Sequence, residues 1–170
     1  TNAKIILPFL LNNTDFISPS RYHFKRGNKF NKKLKPGLHS IKHKVWLNSG
    51  TCICTESFWS CGGYDERVTL YYSDFIFRDR FFKLEKTFYL IDLDLVHEMS
   101  SNNMEDIVSF KYRFILYLEG AYQASFDIKN YIPFFITTLL RTIILTFKTF
   151  DFFYLKNWNS HFFRKAHKSR

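Results

Sequence analysis

Phe88-Tyr89-Leu90-Ile91-Asp92-Leu93-Asp94-Leu95-Val96 alternates with a period of two, placing Asp92 and Asp94 on one face and Ile91, Leu93 and Leu95 on the other. Successive strand side chains point to opposite faces, so this spacing predicts a β-strand with one apolar face. Two stretches upstream share its character. Val68-Thr69-Leu70-Tyr71-Tyr72 follows the turn signal Gly62-Gly63, and Phe75 to Phe82 is aromatic-rich and interleaved with Arg78 and Arg80. Three strands with short connections predict an antiparallel sheet within 51–98.

Downstream the period changes. Ser100 to Asn103 reads as a loop and N-cap, with Glu105 and Asp106 suited to a first helical turn and Gly120 to a C-cap. That predicts a helix from about Met104 to Leu118, then a short strand from Tyr122 to Ile128. The strongest helix signal covers 131–155. Pro133 lies where a first turn tolerates it, and Ile132, Ile136, Leu139, Leu140, Ile143, Phe147 and Phe150 form one stripe, expected to face a core.

The expected fold class is therefore α+β: a small antiparallel sheet packed against one or two helices, with basic extensions outside it. Four segments are expected. Residues 1–15 form an apolar anchor, 16–50 a basic extended arm, 51–155 the α+β body and 156–170 a basic tail. Pro19, Gly27, Pro36, Gly37 and Gly50 interrupt any long helix in the arm. At the start, Pro8 interrupts the apolar run Ile5 to Leu11 and no small-residue cleavage site follows, so no secretory signal is read. Three cysteines, an odd number, fit a reducing compartment better than a disulfide scaffold.

Composition adds a statement about origin. There are 21 Phe and 10 Tyr against 6 Gly and 4 Pro. Phe, Tyr, Ile, Asn and Lys have AT-rich codons, so a strongly AT-biased gene, such as those of many mitochondrial genomes, accounts for the bias. A mitochondrial location is expected on this ground.

The net charge of +10 is segregated. Nine Lys/Arg lie between Arg21 and Lys44, and no acid occurs between Asp15 and Glu56. A second basic cluster, Lys156, Arg164, Lys165, Lys168 and Arg170, follows the last acid, Asp151. Solubility does not require such segregation, whereas a polyanion does, because each cation set against a phosphate releases condensed counterions. Aromatic residues interleave with the arm cations and suit stacking on unpaired bases. The expected RNA-binding residues are Arg21, Tyr22, Phe24, Lys25, Arg26, Lys29, Phe30, Lys32, Lys33, Lys35, Lys42, Lys44, Arg164, Lys165, Lys168 and Arg170, with Trp46 as a further packing aromatic. Organelle-encoded ribosomal proteins have this character. The expected function is thus structural: a mitochondrial ribosomal protein whose partners are rRNA and neighbouring ribosomal proteins.

His39, His43, Cys52, Cys54 and Cys61 supply enough zinc-type ligands, but C-x-C-x6-C lacks paired C-x2-C knuckles, so no cofactor is expected. Asp92 and Asp94 form a D-x-D pair that a solvated strand face explains without metal. Tyr117-Leu118-Glu119-Gly120 resembles the helix end of LAGLIDADG homing endonucleases, where the resemblance would give Glu119 a metal-binding role. Arg113 and Phe114 stand where that family needs small residues, so a helix cap is preferred. No phosphate-binding Gly loop or Ser-His-Asp grouping is visible, and no catalysis is expected. The alternative reading is a small subunit of a respiratory-chain complex anchored in a membrane by 131–147. That stretch is at the lower length limit for a span and would place Arg141 near the bilayer centre, so a membrane is not the expected partner.

Overall fold

The structure, a computed structural model, describes residues 2–98, 107–127 and 131–164. It is mixed α/β and divides into two compact units: Thr1–Asp65 with Asp74–Ser100, and Glu66–Ser73 with Ser101–Arg170.

The first unit runs β1 (Ile5–Asn12), β2 (Asp15–Ser18), β3 (Ser20–His23), β4 (Arg26–Asn28), β5 (Gly37–Ser40), β6 (Lys44–Val45), β7 (Cys52–Ile53), α1 (Thr55–Ser60), α2 (Ser73–Leu84) and β8 (Thr87–Val96). One sheet has the order β2-β1-β8-β5, with β7 added beside β1, and a second has the order β4-β3-β6. The larger sheet is mixed and not antiparallel, because β1 and β8 pair in parallel. Hairpin neighbours pair antiparallel, whereas these two strands are joined by a long crossover that includes α2. Ile5, Leu7 and Phe9 alternate along β1 into a core completed by Ile41, Trp46, Phe77, Phe81, Phe88 and Leu90. Phe77 and Phe81 are four apart, one turn along α2.

Several expectations are corrected here. Residues 75–82 lie in helix α2 and not in a strand, and Val68–Tyr72 forms no strand. The segment 16–50 is not an extended arm: it supplies β2 to β6 and buries Tyr22, Ile41, Val45 and Trp46. Spread aromatic anchors, more than continuous hydrophobicity, fold it onto the body. β8 is a strand as predicted, but Phe88 and Leu90 face the core while Leu93 is 46% exposed. Between Leu7↔Leu90 and Phe9↔Asp94 the register shifts, so a bulge around 91–93 re-phases the strand.

The second unit contains α3 (Ile107–Asp127), α4 (Tyr131–Thr149), α5 (Phe153–Asn159) and a π-helical turn (Ser160–Arg164). Helix α3 continues through Gly120, where a Cβ would overlap the Tyr71 carbonyl oxygen. Gly120 therefore permits a close backbone approach and does not end the helix, and the strand expected at 122–128 is replaced by helix to Asp127. The expected start at Met104 lies outside the described residues. The expected 131–155 helix breaks near 150, where Phe150 adopts a positive φ. The chain from 156 to 164, expected to be part of a basic tail outside the body, is helical and buries Trp158, His161 and Phe162.

Helix α4 departs furthest from expectation. Pro133, Phe134, Thr137, Thr138, Thr142 and Leu145 are buried, while Ile132, Ile136, Leu140, Ile143, Ile144 and Phe147 are exposed. The hydroxyls face inward and the aliphatic stripe outward, the reverse of a helix covering a sheet.

Candidate nucleic-acid interface

In β3, Ser20 and Tyr22 are buried while Arg21 and His23 are exposed. Period two thus aims the apolar and basic residues of one strand in opposite directions. The β3–β4 hairpin pairs Tyr22 with Gly27 and His23 with Arg26. Its two-residue loop, Phe24-Lys25, has φ of 49° and 57°. Two positive φ values match the twist of a tight hairpin, although Asn-Gly is the usual sequence for it. Phe24 is left 47% exposed at the tip.

Arg78 holds this hairpin from beneath. Its Nε donates to the Lys44 carbonyl oxygen at 2.8 Å, Nη2 to that of Ile41 at 2.7 Å and Nη1 to Asp79 Oδ1 at 2.6 Å. The guanidinium also stacks on the Tyr22 and Phe82 rings at 4.7 and 4.8 Å. The Tyr22 hydroxyl donates to Asp79 Oδ2 at 3.2 Å, and Lys25 bridges to the same oxygen. Burial, reinforced by the Asp79 charge, pushes the Tyr22 phenol well above its ordinary value. Tyr22 therefore stays a neutral donor and anchors the strand whose other face carries the cations.

On the exposed face, like charges meet where Arg21 lies opposite Lys44 across the β3–β6 pairing, and Arg26 adds a further cation across the hairpin from His23. Directly opposed like charges destabilise a sheet unless a counter-ion sits over them. Burial pulls the Lys44 ammonium below its ordinary value, and its Nζ donates to the Ser40 carbonyl oxygen at 3.1 Å. Lys32, Lys35 and Lys42 are exposed nearby in sequence, and no ion pair to an acid engages Arg21, Arg26, Lys32, Lys35 or Lys42 among the described residues.

The structure sorts the predicted residues. Arg21, Phe24, Arg26, Lys32, Lys35 and Lys42 are exposed, so they are available to a ligand. Lys25 is committed to Asp79, Lys29 bridges to Asp15 at 2.6 Å, and Lys33 bridges to Asp94 at 2.7 Å while lying over the Phe9 and Phe16 rings. Phe30 is half-buried beneath Arg21, 5.8 Å from its guanidinium. Tyr22 and Trp46 are buried, so neither stacks on a base. Arg164 ends the π-helical turn, and Lys165, Lys168 and Arg170 lie outside the described residues. His23, which the sequence reading left out, is exposed beside Arg21, and the alternation Ser20-Arg21-Tyr22-His23 was the available signal for it; His43, weighed there as a zinc ligand, is exposed as well.

The other constellations do not assemble. His39 stacks on Phe88 with its Nε2 at 2.7 Å from the Lys35 carbonyl oxygen, and Cys61 Sγ donates to the Phe58 carbonyl oxygen at 3.1 Å. Cys52 sits in β7, Cys54 and Cys61 flank opposite ends of α1, and His43 is exposed. Among the described residues, no three His, Cys, Asp or Glu side chains converge on a metal position. Asp94 is paired to Lys33, Asp92 is exposed, and Glu119 lies mid-helix with an exposed carboxylate 3.8 Å from His161. Compared with protein-family models, curated proteins and solved structures, the chain matches none.

Proposed function

We propose that the chain is a structural RNA-binding component of a ribonucleoprotein, and specifically a mitochondrial ribosomal protein that contacts rRNA. The observation that carries this reading is the outward face of the β4-β3-β6 sheet, where Arg21 opposes Lys44 and Arg26 is exposed beside them, with no acid on any of the three strands. Such a face is under electrostatic strain until a polyanion covers it, and phosphodiester backbone supplies evenly spaced negative charge. Phe24 at the hairpin tip offers one exposed ring for stacking on an unpaired base. The anchoring of Tyr22 by Asp79 and Arg78 presents the cations on a rigid strand, which lowers the ordering cost of binding. The role is one of architecture, not catalysis.

Filter binding of the purified chain to rRNA across a KCl series tests it. The expected result is strongly salt-dependent affinity, with Arg21→Glu/Arg26→Glu weakening binding and lowering the magnitude of the log–log salt slope by about 0.7–0.9 per lost phosphate contact. Equal affinity of the parent and the double variant would sink the reading.

A further inference from the structure

We propose that the outer face of α4 is a lipid contact surface, on which the second unit rests in the plane of an anionic bilayer. At 100° per residue, Ile132, Ile136, Leu140, Ile143, Ile144 and Phe147 fall within an arc of about 120°. All six are exposed, and no polar side chain interrupts the arc. An uninterrupted stripe of this kind on a soluble surface marks a contact with something apolar.

The opposite face needs no water. Thr137 donates to the Pro133 carbonyl oxygen at 2.8 Å, Thr138 to that of Phe134 at 2.7 Å, Thr142 to that of Thr138 at 2.8 Å and Thr146 to that of Thr142 at 2.9 Å. The Trp158 indole N–H donates to Thr138 Oγ1 at 3.0 Å. The buried hydroxyls of α4 are thus satisfied within the unit, and polarity is sorted inward while aliphatic surface is sorted outward.

Charge decides between occupants. Neither α4 nor α5 contains an acid, and Asp151 between them is paired with Lys111 at 2.6 Å. Lys148 lies at the border of the stripe, and Lys156 is exposed on α5. Arg141, on the same border, rests on the Tyr117 ring at 4.3 Å. An apolar stripe bordered along one side by cations and by no acid suits acyl chains beside phosphate headgroups, the arrangement of an interfacial helix. The helix lies in the plane and does not cross: α5 and the π-helical turn return along its inner face, Trp158 of α5 against Phe135 and Phe162 of the turn against Tyr131, which leaves one face for lipid. This surface is independent of the basic sheet and does not rest on the RNA reading.

The test is flotation of the full chain with vesicles of phosphatidylcholine alone or mixed with phosphatidylglycerol, after RNase treatment. Flotation is expected with the anionic vesicles, and Leu140→Asp/Ile144→Asp should reduce the floated fraction about tenfold at an unchanged circular dichroism spectrum. As a second measurement, Phe147→Trp should gain fluorescence that acyl-chain-brominated lipid quenches. The proposal is overturned if the chain does not float, or if Leu140→Asp/Ile144→Asp floats like the parent. It is equally overturned if Arg21→Glu/Arg26→Glu alone abolishes flotation, which would assign lipid binding to the basic sheet, or if the stripe instead mediates self-association of the chain without lipid.

Discussion

Arg78 shows at the scale of a single residue how a cation in a basic protein is used for structure. It is buried, contacts two backbone carbonyl oxygens and a carboxylate, and lies against two rings. A lysine there keeps the charge but cannot span these acceptors, so Arg78→Lys should cost about 2–3 kcal/mol, read as a lower urea midpoint. Asp74 makes a different point. Burial pushes its carboxyl from 3.8 up to about 7, against the opposing Asn48 backbone N–H. A carboxyl whose folded pKa exceeds its unfolded value binds more protons when folded, so the protein loses stability as pH rises from about 4 to about 7. Asp74→Asn should remove that loss, raising stability by on the order of 2 kcal/mol above pH 7 and by little below pH 4, as thermal melts across that range would show.

Among the elements, β8 and the bulk of α4 were legible because each is long and strongly periodic. α2 was not. Phe75, Phe77, Phe81 and Phe82 around Arg78 and Arg80 read as alternation, and only the Phe77–Phe81 spacing betrays the helix. A composition that puts Phe on buried and exposed faces alike blurs the contrast on which period reading depends. The β3–β4 turn was illegible for another reason: Phe24-Lys25 adopts positive φ without the Asn or Gly that signals it. Gly120 signalled the end of a helix but instead accommodates the Tyr71 backbone. Gly120→Ala, despite a propensity gain of up to about 1 kcal/mol, should lower stability by about 2 kcal/mol in chemical denaturation. In α4, Thr138→Val withdraws the oxygen that accepts the Trp158 indole N–H, with an expected cost of about 1–2 kcal/mol by the same measurement. A reading of α4 by hydropathy alone assigned its stripe to the core, because the pattern gives the apolar face without saying whether protein or something else covers it.

For the molecule as a whole, the sequence segregates its charge, with nine Lys/Arg and no acid between Arg21 and Lys44. The acid-free segment after Asp15 was read as a basic extended arm outside the body, whereas it supplies strands β2 to β6 and holds exposed cations on them. Of the aromatics expected to stack on bases, Tyr22 and Trp46 are buried, Phe30 is half-buried and Phe24 is exposed. Burial is a long-range property, and a local interleaving of Phe, Tyr and Lys carries no information about it. The cationic β4-β3-β6 sheet in one unit and the outward aliphatic stripe of α4 in the other are the two surfaces on which the proposals above rest.

The most direct test of the ribonucleoprotein reading is gradient sedimentation of a detergent-solubilised organelle lysate, with the chain followed by mass spectrometry before and after RNase. Co-migration with a ribosomal subunit, lost on RNase treatment, is the predicted result. Migration with a protein complex of unchanged size after RNase would contradict it.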